Sequence, residues 1–157
     1  MKSTQQALKD SIIPALTADL AVMATVAARG RKDSHSSLAP INSTSHVLWG
    51  AEAGQVDGFS ARHSLPGLVI NAGAGLWWAA VFQKLFGEQA DRRGPMVALA
   101  GGLATAGLAY VVDYKLVPKR LTPGWELRIS DKSLYMSLAA MGLGLGVGAI
   151  LARRYRL

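Results

Sequence analysis

Residues Leu65 to Phe86 read LPGLVINAGAGLWWAAVFQKLF, and the nineteen from Leu65 to Gln83 carry no charge. A helix rising about 1.5 Å per residue needs that length to cross a hydrocarbon core of about 30 Å, so the stretch reads as a transmembrane helix. At spacing four it carries Gly67, Asn71, Gly75 and Ala79, one stripe of low side-chain volume. Small residues let helix backbones approach closely in lipid, so this stripe is expected to face protein, with the Asn71 amide seeking a partner across the interface. Trp77 and Trp78 lie about two turns from Lys84. That is deeper than an interfacial belt places both, and at least one is expected to pack on another helix.

Three more apolar runs of similar length follow the same logic. Half of the 157 residues are hydrophobic and only 17% are charged, against about 25% in an average soluble domain. The formal net charge is +7, but the basic residues gather in links and tails beside the apolar runs, where a membrane surface explains them better than nucleic acid does. The absence of cysteine excludes disulfides, thiolate catalysis and cysteine-based zinc sites. The reading is an all-α integral membrane protein forming a single membrane domain over 1–157. Four transmembrane helices, at about 11–28, 65–86, 95–113 and 133–152, are expected in an antiparallel bundle, with a short interfacial or re-entrant helix at about 43–53. A bacterial inner (cytoplasmic) membrane is the expected location.

The first run, Ser11 to Ala28, is broken by Asp19. A secretory signal peptide competes here, but Asp10 and Asp19 are out of place in its charged and apolar regions, so a first transmembrane helix is preferred. A buried acid in lipid calls for a partner or a watery path, and Asn71 or the segment around His46 is the expected source. Pro95 suits the first turn of the third helix, which carries Ala98, Gly102 and Ala106 at spacing four. The last helix contains Gly142, Gly144, Gly146 and Gly148. The pairs Gly142 with Gly146 and Gly144 with Gly148 point to nearly opposite faces, because two residues turn a helix by about 200°. Ala140, Gly144, Gly148 and Ala152 are expected to pack within the chain, leaving Gly142 and Gly146 for another copy or a membrane subunit. Arg153, Arg154 and Arg156 then halt the helix at the surface.

The link Arg29 to His63 opens polar and regains apolar character from Leu38 to Ala53, where Ser43 or Thr44 could cap a helix reaching about Ala53. Gly87 to Gly94 reads as a short polar turn, and Pro118, Pro123 and Gly124 oppose regular helix in the link Lys115 to Asp131. Four crossings put both long links on one side, whichever way the protein is oriented. With eight Lys and Arg on one side and nine on the other, the charge rule does not choose. The link side offers His46, Trp49, Asp113, Trp125 and Glu126 as a candidate binding face, since loops carry function more often than the helices that hold them.

Chemical signatures are sparse. Asp57, Gly58, Ala61 and Arg62 read DGxxAR, which resembles the core of the CDP-alcohol phosphotransferase family, membrane enzymes that hold two metal ions. Gly54, Gly75 and Ala79 stand where the family's other aspartates fall, so the carboxylates for those ions are missing. His35, His46 and His63 are metal candidates by residue type alone, at spacings that match no compact ligand motif. No metal site and no cofactor is expected, and no nucleophile with a base can be assembled, so the sequence leans away from an enzyme. Two readings stand. One is a non-enzymatic accessory or structural subunit acting through helix packing and the link face. The other is an oligomeric channel or small transporter with a path past Asp19 and Asn71. Lipid and further membrane subunits or copies are the expected partners, with no nucleic acid.

Overall fold

The computed structural model describes residues 1–155 and is all-helical, with no strand among them. Arg156, one of the expected tail arginines, lies outside the described residues. Four helices are long and apolar enough to cross a membrane: Ile12–Ser34, Ala61–Arg93, Pro95–Leu116 and Asp131–Arg154.

A short helix α1 (Thr4–Asp10) opens the chain, with the Ser3 hydroxyl accepting from the Gln6 amide at 3.2 Å. Helix α2 (Ile12–Ser34) continues past its expected end at Ala28, through the basic run that reads as loop in the sequence. Polar character does not itself end a helix. The stop comes at His35, where the backbone turns left-handed at φ 58°.

The expected helix at about 43–53 is three pieces: α3 (Ala39–Thr44), α4 (His46–Trp49) and a 3₁₀ stretch, Gly50–Gln55. Pro40 sits in the first turn of α3, so the helix starts earlier than Ser43 or Thr44 would place it. Those two residues are not caps. They are buried inside α3, where the Ser43 hydroxyl lies 2.7 Å from Pro40 O.

Helix α5 (Ala61–Phe82) passes through a π-helical turn, Gln83–Gly87, into α6 (Glu88–Arg93), so the expected polar turn is helical and the helix ends only at Gly94, φ 94°. Pro66 lies inside α5 and has no N–H to offer Arg62 O. The Trp49 indole N–H fills that place, donating to Arg62 O at 2.8 Å. Helix α7 (Pro95–Val111) ends in a second π-helical turn, Val112–Leu116, and irregular links with 3₁₀ turns at Lys119–Leu121 and Trp125–Leu127 lead to α8 (Asp131–Tyr155). Asp33, at the end of α2, takes up the start of α8: its Oδ2 accepts from the Ser130 amide at 2.9 Å and from the Ser133 hydroxyl at 2.5 Å.

Helix α8 lies between α2 and α7, and both of its glycine faces are used within the chain. A Cβ at Gly144 or Gly148 would run into the α2 backbone at Ala18 or Pro14, and one at Gly142 or Gly146 into the α7 backbone at Gly102, Leu99 or Ala98. The expectation that Gly142 and Gly146 stay available for a second copy is therefore corrected. The reason is reciprocal: Gly102 on α7 brings no Cβ to this crossing, so the two backbones close on each other. Thr17 adds a bond across the opposite face, its hydroxyl 2.7 Å from Gly144 O.

Helix α5 completes the set. Its stripe Gly67, Asn71, Gly75 and Ala79 is buried, as the spacing implies. Gly67 meets the backbone of Ile41 in α3, Gly75 meets Asp19 of α2, and Phe82 and Phe86 lie over Gly101 of α7. Trp78 is 5% exposed and Trp77 is 65% exposed, so one indole packs inward and its neighbour joins Leu20, Leu68 and Val69 on an apolar exterior.

Candidate binding cavity

One end of the helix set is closed by a lid built from the first link. Asn42 of α3 is fully buried and fully bonded: its amide nitrogen donates to Val56 O and Gly58 O, each at 2.8 Å, and its Oδ1 accepts from the Ser64 hydroxyl at 2.6 Å. One side chain thus ties α3, the strip before α5 and the first turn of α5. The second link clamps this lid from above. Arg120 donates from Nε to Val47 O at 3.0 Å, and Arg128 donates to Gly54 O at 2.9 Å while pairing with Asp57. Gly124, at φ 83°, approaches so closely that a Cβ there would strike Ser43 O and His46 Nδ1.

Beneath the lid is a cavity of about 100 Å³, lined from α2, α5 and α8, from the turn after α7 and from both links. Asp19 and Met23 come from α2, Thr44 and Val47 from the lid, Asn71, Gly75 and Trp78 from α5, Asp113 from the π-helical turn after α7, Thr122 and Trp125 from the second link, and Met141 from α8. Glycine at 75 is what admits the carboxylate of Asp19, since a Cβ would overlap its Oδ1. The Asn71 amide goes to the Thr44 hydroxyl at 3.1 Å and Gly67 O at 2.8 Å, not to Asp19, whose carboxylate has no hydrogen-bond partner among the described residues. Asp113 Oδ2 accepts from the Trp78 indole N–H at 3.0 Å. Neither carboxylate has an ion-pair partner among the described residues, and no Lys, Arg or His lines the cavity. Trp125 is 5% exposed, and its indole N–H is buried without an acceptor among the described residues.

No family model, curated protein or solved structure matches this chain. The cavity is therefore interpreted from its own chemistry.

Of the link-face candidates, Asp113 and Trp125 line the cavity, whereas His46, Trp49 and Glu126 do not. His46 is a strut: Nδ1 lies 2.9 Å from Ser43 O and Nε2 3.1 Å from Lys119 O, joining the two links. Glu126 holds the Thr122 hydroxyl. Trp49 stays on the outside, its ring 4.6 Å from the Arg62 guanidinium, which also pairs with Glu52 at 2.9 Å. The histidines do not converge. His35 is exposed at the end of α2, and His63 Nδ1 is held 3.0 Å from the Ser45 hydroxyl. Among the described residues no three His, Asp or Glu side chains are grouped as metal ligands. The DGxxAR fragment is spent on structure, with Asp57 on Arg128 and Arg62 on Trp49 and Glu52.

Sequence reasoning missed Thr44, Trp78 and Thr122 as cavity residues. Trp78 was within reach, because it follows Asn71 by seven and Gly75 by three, on the edge of the small stripe. Thr122 had no comparable signal, since an irregular link has no period.

Proposed function

We propose that this is an integral membrane protein with four antiparallel transmembrane helices, which binds a small polar solute in the cavity at Asp19 and Asp113 and passes it across the bilayer. The observation that carries the reading is the convergence, in one cavity, of the mid-helix acid Asp19, of Asp113 from the π-helical turn after α7 and of Trp125 from the second link. Acids within a membrane are costly, about 2.5 to 3.5 kcal/mol each on the insertion scale, and typically mark paths for solutes or protons. The contacts support the antiparallel arrangement: Gly102 meets Gly142 while Ala98 meets Gly146, in reversed order. The clamps from Arg120 and Arg128 to the first link support both long links lying on one side. A helical bundle with an apolar exterior suits an inner membrane better than an outer one, whose proteins are barrels.

The accessory-subunit reading loses ground for two reasons. Both glycine faces of α8 are occupied within the chain, and His46 and Trp125 are buried instead of presented to a partner. Since one chain lines the whole cavity, the transport reading needs no oligomer.

Resistance to alkaline carbonate extraction is the expected first result, and release as a soluble monomer would overturn the membrane reading. The path is tested by thiol labelling, for which a chain without cysteine is a ready background. Met141→Cys and Thr122→Cys, both in the cavity wall, are expected to react with a water-soluble methanethiosulfonate reagent in proteoliposomes. Leu143→Cys, on the apolar exterior of α8, is expected to stay unmodified. Protection of both cavity cysteines would mean a sealed core and return the accessory-subunit reading to first place.

A further inference from the structure

We propose that the solute is a small primary ammonium carrying an oxygen acceptor, the amino-alcohol class. This rests on the reading of the cavity as a solute site and adds the ligand's chemistry. Three features of the wall define it. Asp19 and Asp113 supply two carboxylates with no basic side chain lining the cavity among the described residues, so the missing positive charge is left for a ligand. A primary ammonium has three N–H donors, enough for a carboxylate and a further acceptor of the wall. Trp78 and Trp125 add aromatic wall, and a cation close to an indole is favoured over a neutral solute of the same size.

The third feature is independent of the acids. Trp125 lines the cavity nine-tenths buried, and its N–H has no acceptor among the described residues. An indole nitrogen only donates, so it calls for a ligand oxygen. Leaving such a donor unpaired is unfavourable, and a hydroxyl or ether on the ligand removes the penalty. The volume sets the size. An apolar cavity of about 150 Å³ takes benzene, so one of about 100 Å³ takes roughly four or five non-hydrogen atoms. Ethanolammonium has that size, a charge at one end and an acceptor at the other.

The test is calorimetry on the full chain in detergent, with ethanolammonium, propylammonium and ethylene glycol as probes. Ethanolammonium is expected to bind saturably at one site per chain, propylammonium severalfold more weakly, and ethylene glycol not measurably. Asp19→Asn and Asp113→Asn are each expected to weaken ethanolammonium about tenfold or more, the loss of a charge-assisted contact. Trp125→Phe is expected to bring ethanolammonium down to the propylammonium level while leaving propylammonium unchanged, a split that a general loss of folding would not produce. Should the variants fail to fold, the three probes on the parent chain still decide. Equal binding of ethylene glycol and ethanolammonium, or no binding of either ammonium, would overturn the ligand class. Reactive cavity cysteines beside absent ammonium binding would overturn that class alone, whereas protected cysteines would remove the solute path itself.

Discussion

Gly102→Val is expected to abolish the native bundle. At that position a Cβ would meet the Gly142 carbonyl and the Gly146 amide, backbone atoms of α8 that no rotamer change can move aside. Relief requires α7 and α8 to separate, and α8 also carries α2 on its other face, so the displacement spreads to three of the four long helices. Overpacking of this kind costs about 3 kcal/mol or more, a large share of the stability of an ordinary domain. Gly107→Val is the matched control. It lies on the same helix with nothing near the position of a new Cβ, and valine is no worse than glycine as a helix former. Thermal unfolding in detergent, followed by tryptophan fluorescence, should show Gly102→Val lost and Gly107→Val within about 0.5 kcal/mol of the parent. Equal melting of the two would mean that α7 and α8 do not cross at Gly102.

The second large effect belongs to the lid. Asn42→Ala is expected to destabilise by about 3 kcal/mol, because it orphans the Val56 and Gly58 carbonyls and takes the acceptor from the Ser64 hydroxyl. All three partners belong to the strip before α5 or to its first turn, so the loss should be local in structure as well as large. Proteolysis within 50–60 is expected to rise in this variant, while cleavage between α7 and α8 stays at the parent's level. Substitution of Ser64 by alanine removes one of the three Asn42 bonds together with the one that the Ser60 amide donates to the Ser64 hydroxyl, and is expected to cost about 2 kcal/mol. An Asn42→Ala protein with the parent's melting point and protease pattern would show that α3 is held by apolar packing alone.

Much of this architecture was legible in the linear chain, and for a single reason. Apolar runs of nineteen or so residues, and small residues recurring every four, are periodic signals that a helix converts directly into length and face. Leu65 to Gln83 announced α5, Gly67, Asn71 and Gly75 announced its buried side, and the offset glycines of α8 announced two gripped faces. The proline and glycine pattern of 115–131 likewise announced an irregular link. Boundaries were less legible. Helix α2 runs through Arg29 to Ser34, and the α5 helix passes through Lys84 to Arg93 by way of a π-helical turn, because charge at a helix end changes its solvation without breaking its hydrogen bonds.

The residues Asp19, Asn71, Asp113 and Trp125 each stood out in the sequence as polar or aromatic at unusual depth or position. That they share one cavity was decided only by tertiary structure. Convergence depends on the angle at which α2 passes Gly75, on the π-helical turn that sets Asp113, and on the glycine at 124 that lets the second link press onto the lid. The partner of Asn71 was decided in the same way: α3 is buried deeply enough to bring Thr44 within 3.1 Å of its amide. The fate of Gly142 and Gly146 followed from α7, whose own Gly102 offered a backbone to close against. A sequence records which face of a helix is small. Which neighbour fills that face depends on the shapes of all the others.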